Sequence, residues 1–514
     1  MIKWYLAGLF SLLVLLEGTW AYADPRPIAP THLNESTRLL LQVSMDLEEK
    51  CWDENAKLLR NPDSHPSSTY SEVYLVRESS WYALALLLRD RAGDRLRAAE
   101  LLDAVLKQQY ETPEERWYGT FRRSPEEPHP GAPTGLFRGY DPNWREFVGT
   151  TFAVILIEYP DRISPQLSAR MFAAIDRAVD GEIRDGRLLP SYSNIALMHG
   201  FLWSFAAEHD RRSDWKTGAA QWTESVYRMF QQNKAFDEYN SPTYYGVDLY
   251  GLALWRSYGS TARLRAMGSG MEKQLWKDIA DFYQPQLHNL SGPYDRAYGM
   301  DMESYVSLVG MWMGTKLQPN QAPLPALDLN SDHVADIWFA PHIAILGTRI
   351  PPAALREIAK FEGEHLLRKK IAEGRVATAW IGRNAIFGGE TTGKTKDAGT
   401  TTQFHPATIQ WRTPSGKIGW VQLVESPVVD AVADQQGLSI RADGTVRLRI
   451  QAKGSNPKKI GASQWELPGL NITVASDAKS FRMEHVGDMI DLVYTGMTGM
   501  RLGIRTTQDR TVNE

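Results

Sequence analysis

From about residue 34 to 370 the chain repeats one pattern, and that pattern limits its folds more than any other feature. Apolar residues recur three and four apart in Leu39–Leu47, Ser80–Asp90, Arg97–Lys107, Trp144–Glu158, Pro165–Arg184 and Ser193–His209. The same spacing continues through Trp215–Gln232, Pro242–Tyr258, Leu264–Tyr283, Gly299–Lys316, Asp332–Leu346 and Pro352–Ala372. That spacing predicts helices, and proline or glycine marks the joints, as at Tyr159-Pro160, Leu189-Pro190 and Pro351-Pro352. About a dozen helices with short links and no alternating strands leave two compact solutions, a solenoid or a closed toroid of helical hairpins. No fixed-period repeat is present, which favours the toroid. One link is long: Glu111–Asp141, rich in proline, arginine and aromatic residues, and links of that length often carry function.

Near residue 375 the pattern changes. Val376–Ile381, Gln403–Arg412, Lys417–Val424, Leu438–Ile450, Ile472–Ala475 and Asp491–Tyr494 alternate or run apolar, separated by turns such as Pro414-Ser415-Gly416 and Asp443-Gly444. The expected fold is therefore multidomain, α then β: an (α/α) toroid over residues 24–372, then an antiparallel β-sheet, sandwich-like domain over 373–514. Ahead of both, Lys3, the apolar run Trp4–Leu16 and Ala21-Tyr22-Ala23 read as a signal peptide, residues 1–23, cut after Ala23. The run is short for a membrane span, no later stretch is apolar enough for one, and a secreted or periplasmic protein is expected. With one cysteine, Cys51, no intrachain disulfide forms. A net charge of −4 argues against bulk binding of nucleic acid.

Chemistry-bearing residues gather at helix mouths. Phe236–Trp255 (FDEYNSPTYYGVDLYGLALW) places Glu238, Tyr239, Asn240, Tyr244 and Tyr245 around Pro242. A capped helix start, with Asn240 or Ser241 as cap and the tyrosines as core, accounts for the same residues. Ser191–Gly200 places Tyr192 and Asn194 at the start of an apolar helix, with His199 five residues after Asn194; an amide there needs a partner, since burying it unpaired costs about 1–3 kcal/mol. Tyr140–Gly149 offers Trp144, a flat platform for a sugar face, with Arg145 and Glu146 beside it. Gly292–Met302 offers Arg296 and Tyr298, a cation that favours a phenolate or grips a carboxylate beside a phenol. Trp338–His342 (WFAPH) is accounted for equally by a helix break at Pro341. Seventeen tryptophans and twenty-one tyrosines suit a carbohydrate surface. No HExxH, C-x-x-C, EF-hand, P-loop or G-x-S-x-G motif occurs, so no metal or other cofactor is expected.

This inventory matches one reaction. Abstracting the proton α to a uronate carboxylate needs donors that neutralise the acid group, a base for C5 and an acid for the leaving oxygen. Asn194, Glu238 and Asn240 suit neutralisation, Tyr244, Tyr245 or Tyr298 proton transfer, and Arg296 stabilisation of phenolate or substrate. Trp144, Glu146, Tyr192, His199 and Tyr239 would contact the sugar. Arg122, Arg123, Arg138 and Arg145 could line a groove for a polyanion.

In chain order, Asn194, the Tyr239–Tyr245 segment and Arg296-Tyr298 resemble the polysaccharide lyases built on an (α/α) toroid, which include chondroitin AC-type, alginate and glucuronan lyases and heparinase II/III-like proteins. The resemblance implies β-elimination of an acidic polysaccharide and a β-sheet domain after the toroid. Two departures stand out: His199 is not adjacent to Asn194, and no histidine lies in Phe236–Trp255. A tyrosine-only base and acid is implied. Two other functions use the same features. A glycoside hydrolase would draw two carboxylates from Asp141, Glu146, Glu238, Asp248, Asp295, Asp301 and Glu303, and a glycan-binding protein would keep the aromatic cleft without catalysis.

Overall fold

A computed structural model describes residues 28–62, 72–131, 137–399 and 403–507. The signal peptide expected over residues 1–23 lies outside them. Twelve α-helices are present among the described residues: α1 (Glu35–Cys51), α2 (Val76–Arg89), α3 (Asp94–Leu106), α4 (Trp144–Glu158), α5 (Pro165–Asp185), α6 (Ser193–His209), α7 (Ser213–Asn233), α8 (Tyr244–Tyr258), α9 (Ala262–Phe282), α10 (Leu308–Gly314), α11 (Ala340–Leu346) and α12 (Pro352–Ala359). None is long and apolar enough to cross a membrane. Short strands β1 (Trp52–Asp53), β2 (Leu58–Arg60) and β3 (Tyr74–Leu75) form one small sheet, and β4 (Tyr283–Gln284) pairs with β5 (Asn289–Leu290).

The helices pair as hairpins, α2 with α3, α4 with α5, α6 with α7 and α8 with α9. The first members also pack side by side, α2 on α4, α4 on α6 and α6 on α8, and α11 closes the ring by touching both α8 and α2. Burial explains this two-layer order. The inner helix α6 is buried on nearly every side, from Ser193 through Leu202. The outer helix α5 buries only one stripe, Leu167, Met171, Ala174, Ile175, Ala178 and Val179, at the spacing of an amphipathic helix. The inner helices approach closely: a Cβ on Gly251 of α8 would stand 2.6 Å from the Cβ of Leu197 on α6. The expected toroid is therefore the observed one.

The remaining eleven strands form a single antiparallel sheet: β6 (His365–Ala372), β7 (Arg375–Ile381), β8 (Ala385–Thr391), β9 (Ala407–Arg412), β10 (Ile418–Glu425), β11 (Val429–Asp434), β12 (Gly437–Gln451), β13 (Gln464–Leu467), β14 (Leu470–Ser476), β15 (Ser480–Val486) and β16 (Met489–Thr506). The order runs β13-β14-β16-β12-β10-β9-β8-β7-β6, with β11 on β12 and β8 and β15 on β16. Ile371, Ala377, Ala379, Ile381 and Ile386 join the core of the toroid, while Phe387, Trp411, Leu448, Trp465 and Leu492 belong to a second core within the sheet.

Two expected helices are corrected. Over Gly299–Lys316 only Leu308–Gly314 is helical. Asp301 instead accepts hydrogen bonds from the Glu303 backbone and the Ser304 hydroxyl, and its side chain competes for the backbone that a helix would need. The helix expected over Pro352–Ala372 ends at Ala359, and His365–Ala372 is the edge strand β6. Its apolar residues Leu366, Leu367 and Ile371 suit either period, and Arg368, Lys369 and Lys370 give it the charge that an open sheet edge favours.

Candidate active site

Every inner helix of the first four hairpins turns its N-terminal end toward one cleft of about 370 Å³. Arg77 and Trp81 come from α2, Trp144 and Phe147 from α4, Asn194 and Ile195 from α6, and Tyr244 and Val247 from α8. The pairs from α2, α4 and α8 are three or four residues apart, as neighbours on one helix face are, and Asn194 and Ile195 are consecutive in the first turn of α6. Arg296 and Tyr298 enter from the loop after β5, His333 and Asp336 from the segment before α11, and Gln403 from the sheet domain. Helix N-termini carry partial positive charge and unpaired N–H groups, so the convergence favours an anionic occupant.

A continuous polar chain crosses this cleft. Glu238 lies beneath it, largely buried, and accepts from the Ser193 hydroxyl at 3.1 Å, the Asn194 backbone at 3.3 Å and the Asn194 Nδ2 at 2.5 Å. Its other oxygen accepts from Arg296 Nη1 at 2.6 Å. Arg296 Nη2 donates to the Tyr244 phenol at 2.6 Å, its Nε to the Gln403 side chain at 3.0 Å, and its guanidinium lies 3.7 Å from the Tyr244 ring centre. The Tyr244 and Tyr298 phenols share a hydrogen bond. Tyr298 is the outermost member, 41% exposed, with its ring stacked on His333 at 4.6 Å. Burial, then the Tyr298 phenol, pushes the Tyr244 phenol well above the ordinary range, although Arg296 opposes the shift. Burial likewise raises Tyr192, again opposed by Arg296. Burial works against the charge on Arg296, but Tyr244 and Glu238 outweigh it.

Of the residues expected at the site, Trp144, Tyr192, Asn194, Tyr244, Arg296 and Tyr298 line the cleft, and Glu238 ties two of them together as an acceptor. The Asn194 amide thus has the partner that its burial requires. Trp144 stands against the Arg77 guanidinium at 4.4 Å, and Tyr192 accepts from Asn143 at 3.0 Å.

Other expected residues sit elsewhere. Glu146 and His199 face each other at 3.3 Å between α4 and α6, fully enclosed. Burial, then Glu182, raises the Glu146 carboxyl. Asn240, with a left-handed φ of 50°, donates to the carbonyls of Ser291 at 2.6 Å and Pro293 at 2.8 Å. It holds the loop that carries Arg296 and does not reach the cleft lining. Tyr239 and Tyr245 pack edge to face at 6.2 Å in the core behind it, and burial pushes both phenols far up. Of the arginines expected in a groove, Arg145 is fully buried against Glu182 and the Arg116 and Tyr118 carbonyls, and Arg123 binds Glu127. His342, from the WFAPH stretch, is fully buried against Thr151, Phe339 and Tyr250, and burial lowers it to about 3.

Several cleft residues escaped the sequence reading. Arg77 is boxed by Trp81, Trp144 and Phe147; starting α2 at Ser80 cut away the turn that carries it. Asn143 had a local signal only as a cap for the helix that Trp144 opens, and His333, Asp336 and Gln403 had none, because loops far apart in sequence bring them in. Burial raises the carboxyls of Asp336 and of Asp141, also at the rim. Among the described residues no three His, Cys, Asp or Glu side chains converge as a metal site requires.

Comparison with known families decides the relationship. A model described as a domain of unknown function, DUF8769, matches residues 38–348. The chain belongs to that family. All the cleft residues named above except Gln403 fall within the matched stretch. A second model, domain of unknown function DUF8770, matches residues 367–500 and takes in Gln403 and the body of the sheet. No curated protein matches. Among solved structures the chain is similar to heparinase III, at 8% identity over 92% of this chain and 85% of that one, with a TM-score of 0.41. It is also similar to a mutant of the Streptomyces coelicolor A3 chondroitin AC lyase (9% identity, 92% and 80% covered, TM-score 0.40) and to a GH127 beta-arabinofuranosidase (8%, 93% and 80%, 0.35).

Proposed function

We propose that this protein is a polysaccharide lyase that cleaves a uronate-containing polysaccharide by β-elimination. The observation that carries the reading is the chain Asn194–Glu238–Arg296–Tyr244–Tyr298, which sets two hydrogen-bonded phenols beside a guanidinium in a cleft ringed by helix N-termini. In this reading the helix ends, Arg77 and the free N–H of the Asn194 amide receive the uronate carboxylate and so lower the cost of the enolate. Tyr298, the open member of the pair, takes the C5 proton as a phenolate whose charge the Tyr244 O–H, with Arg296 behind it, stabilises. Tyr244, whose burial keeps it protonated, gives its proton to the leaving oxygen, and the shared hydrogen bond returns the proton from Tyr298 to Tyr244 after turnover. Trp144 and Tyr192 supply flat faces for the sugar rings. A polymer met outside the cell agrees with the export expected from Lys3–Ala23.

A hydrolase reading has one observation in its favour: Asp141 and Asp336 both line the cleft, and burial holds each above the ordinary carboxyl range, as an acid catalyst needs. Incubation with alginate, glucuronan, hyaluronan, chondroitin and heparan substrates separates the two. Elimination creates a conjugated double bond that absorbs in the ultraviolet, and hydrolysis releases reducing ends without it. Absorbance on at least one polymer is the expected result. Reducing ends without absorbance would replace the lyase with the hydrolase, and neither signal on any of the five would remove the lyase reading for them.

A further inference from the structure

Arg296 owes its position to the sheet domain. The segment that carries it is bonded to that domain through its backbone: Tyr294 and His405 exchange N–H···O bonds at 3.1 and 2.8 Å, and the Ala297 N–H donates to the Gln403 carbonyl at 3.0 Å. Between these two anchors Asp295 is 4% exposed, and its side chain meets partners other than the Glu238, Tyr244 and Gln403 that Arg296 meets. Asp295 is gripped by two cations from the sheet domain, Arg375 on β7 and Lys396 in the loop after β8, and it also accepts from the Tyr239 backbone at 3.2 Å. Arg375 is fixed in turn by Glu390 on β8, with its Nε 2.9 Å from Oε1.

We propose that Arg375 and Lys396 are positioning residues that clamp Asp295 and thereby hold Arg296 in the register that joins Glu238 to Tyr244. The inference rests on the reading of the Arg296–Tyr244–Tyr298 cluster as the active site, and it assigns the sheet domain a part in building that site.

Close packing at the same joint supports the clamp. A Cβ on Gly388 of β8 would stand 1.7 Å from the Gly292 carbonyl oxygen, so the strand and the loop are in backbone contact where the Arg296 segment begins. The charges around the clamp are Asp237, Asp295 and Glu390 against Arg375 and Lys396, with Asp237 3.9 Å from Arg375. Three acids stand against two cations, with Asp295, Glu390 and Arg375 largely out of water and Asp237 and Lys396 partly exposed, which leaves one charge in excess. Burial first, and Asp295 second, push Glu390 up to about 7. The cluster thus balances when Glu390 holds a proton.

The test uses the full chain with Lys396→Met and Arg375→Lys, each labelled with 13C at the tyrosine ζ carbons, and with the Tyr244 and Tyr298 signals assigned from their phenylalanine variants. Both clamp variants should shift those two signals, and on a cleaved polymer they should lower kcat roughly tenfold or more with KM changed by less than about threefold. Lys396 is partly exposed, so its variant decides the matter if Arg375→Lys does not fold. Tyr244 and Tyr298 signals unchanged in a folded variant would overturn the clamp whether or not the protein is a lyase. Shifted signals in a protein that cleaves none of the polymers would keep the clamp and discard the lyase reading.

Discussion

Arg296→Lys tests the centre of the site most directly. The guanidinium makes three directed bonds at once, to Glu238 at 2.6 Å, Tyr244 at 2.6 Å and Gln403 at 3.0 Å, while stacking on the Tyr244 ring. An ammonium is a point donor on a flexible stem and cannot span the three. Drawn by charge, it keeps Glu238, which also retains Ser193 and Asn194, so two bonds from a cationic donor are lost, one to the Tyr244 phenol and one to the Gln403 amide oxygen. Such bonds are each worth about 1–3 kcal/mol. With Arg296 still 28% open to water at its side chain, the loss in folding stability should be about 2 kcal/mol, read as a lowered urea midpoint. The loss in turnover should be larger, because Tyr244 loses its cation where charge develops: roughly a hundredfold in kcat, or about 2.7 kcal/mol. Combining Arg296→Lys with Tyr244→Phe closes a double-mutant cycle, in which the second change should cost little once the first is made. Independent, additive losses in kcat would refute the idea that guanidinium and phenol act as a unit. A stability loss with turnover intact would make Arg296 structural.

Tyr244→Phe and Tyr245→Phe separate two adjacent phenols that sequence alone could not rank. The first lines the cleft and the second is buried behind it, so kcat should fall roughly a hundredfold in the first and hold in the second; equal losses would contradict the placement. Gly388→Ala drives a methyl into the Gly292 carbonyl and should destabilise the protein by about 3 kcal/mol, seen as an earlier unfolding transition. Glu390 rises from its ordinary value of 4.5 to about 7 in the folded protein, so between those values the folded state holds a proton that the unfolded chain has released. Its contribution to stability is then greatest below about 4.5 and declines as pH climbs to about 7, and Glu390→Gln should flatten that decline in urea titrations across the window.

Much of the architecture was legible because its causes are local. The limits of α4 and α6 match the expected ones residue for residue, since Pro142 and Asn143 stop the chain before one and Pro190 before the other. The two misread stretches are those in which a tertiary partner overrides periodicity. Met300, Met302, Tyr305 and Val306 have helical spacing, yet Val306 donates to the Asp332 carbonyl and Asn289 donates to the Met300 carbonyl, which draws the segment out as a loop. Leu366, Leu367 and Ile371 likewise suit two periods, and pairing with β7 decides between them.

The site follows the same division. Asn194, Tyr192, Trp144 and Tyr244 could be found because a ring of hairpins presents the first turn of each inner helix at one end. Within that first turn only one face of the helix meets the opening: Trp144 and Tyr244 line the cleft, while Arg145 and Glu146 turn into the wall and Tyr245 into the core. Asn194 and His199 lie on the same helix, yet one lines the cleft and the other meets Glu146 inside the wall. Depth along an inner helix and the face a residue occupies together sort site from scaffold, and the sequence gives the depth once the helix start is known. Asn240 precedes its helix, yet its left-handed turn sends the amide to the Ser291 and Pro293 carbonyls instead. What no inspection of one segment could supply is Arg77 among Trp144 and Phe147, or Arg296 held through Asp295 by Arg375 and Lys396. Those contacts join residues about 70 to 100 positions apart, and they exist only after the ring has closed and the sheet has docked on its rim.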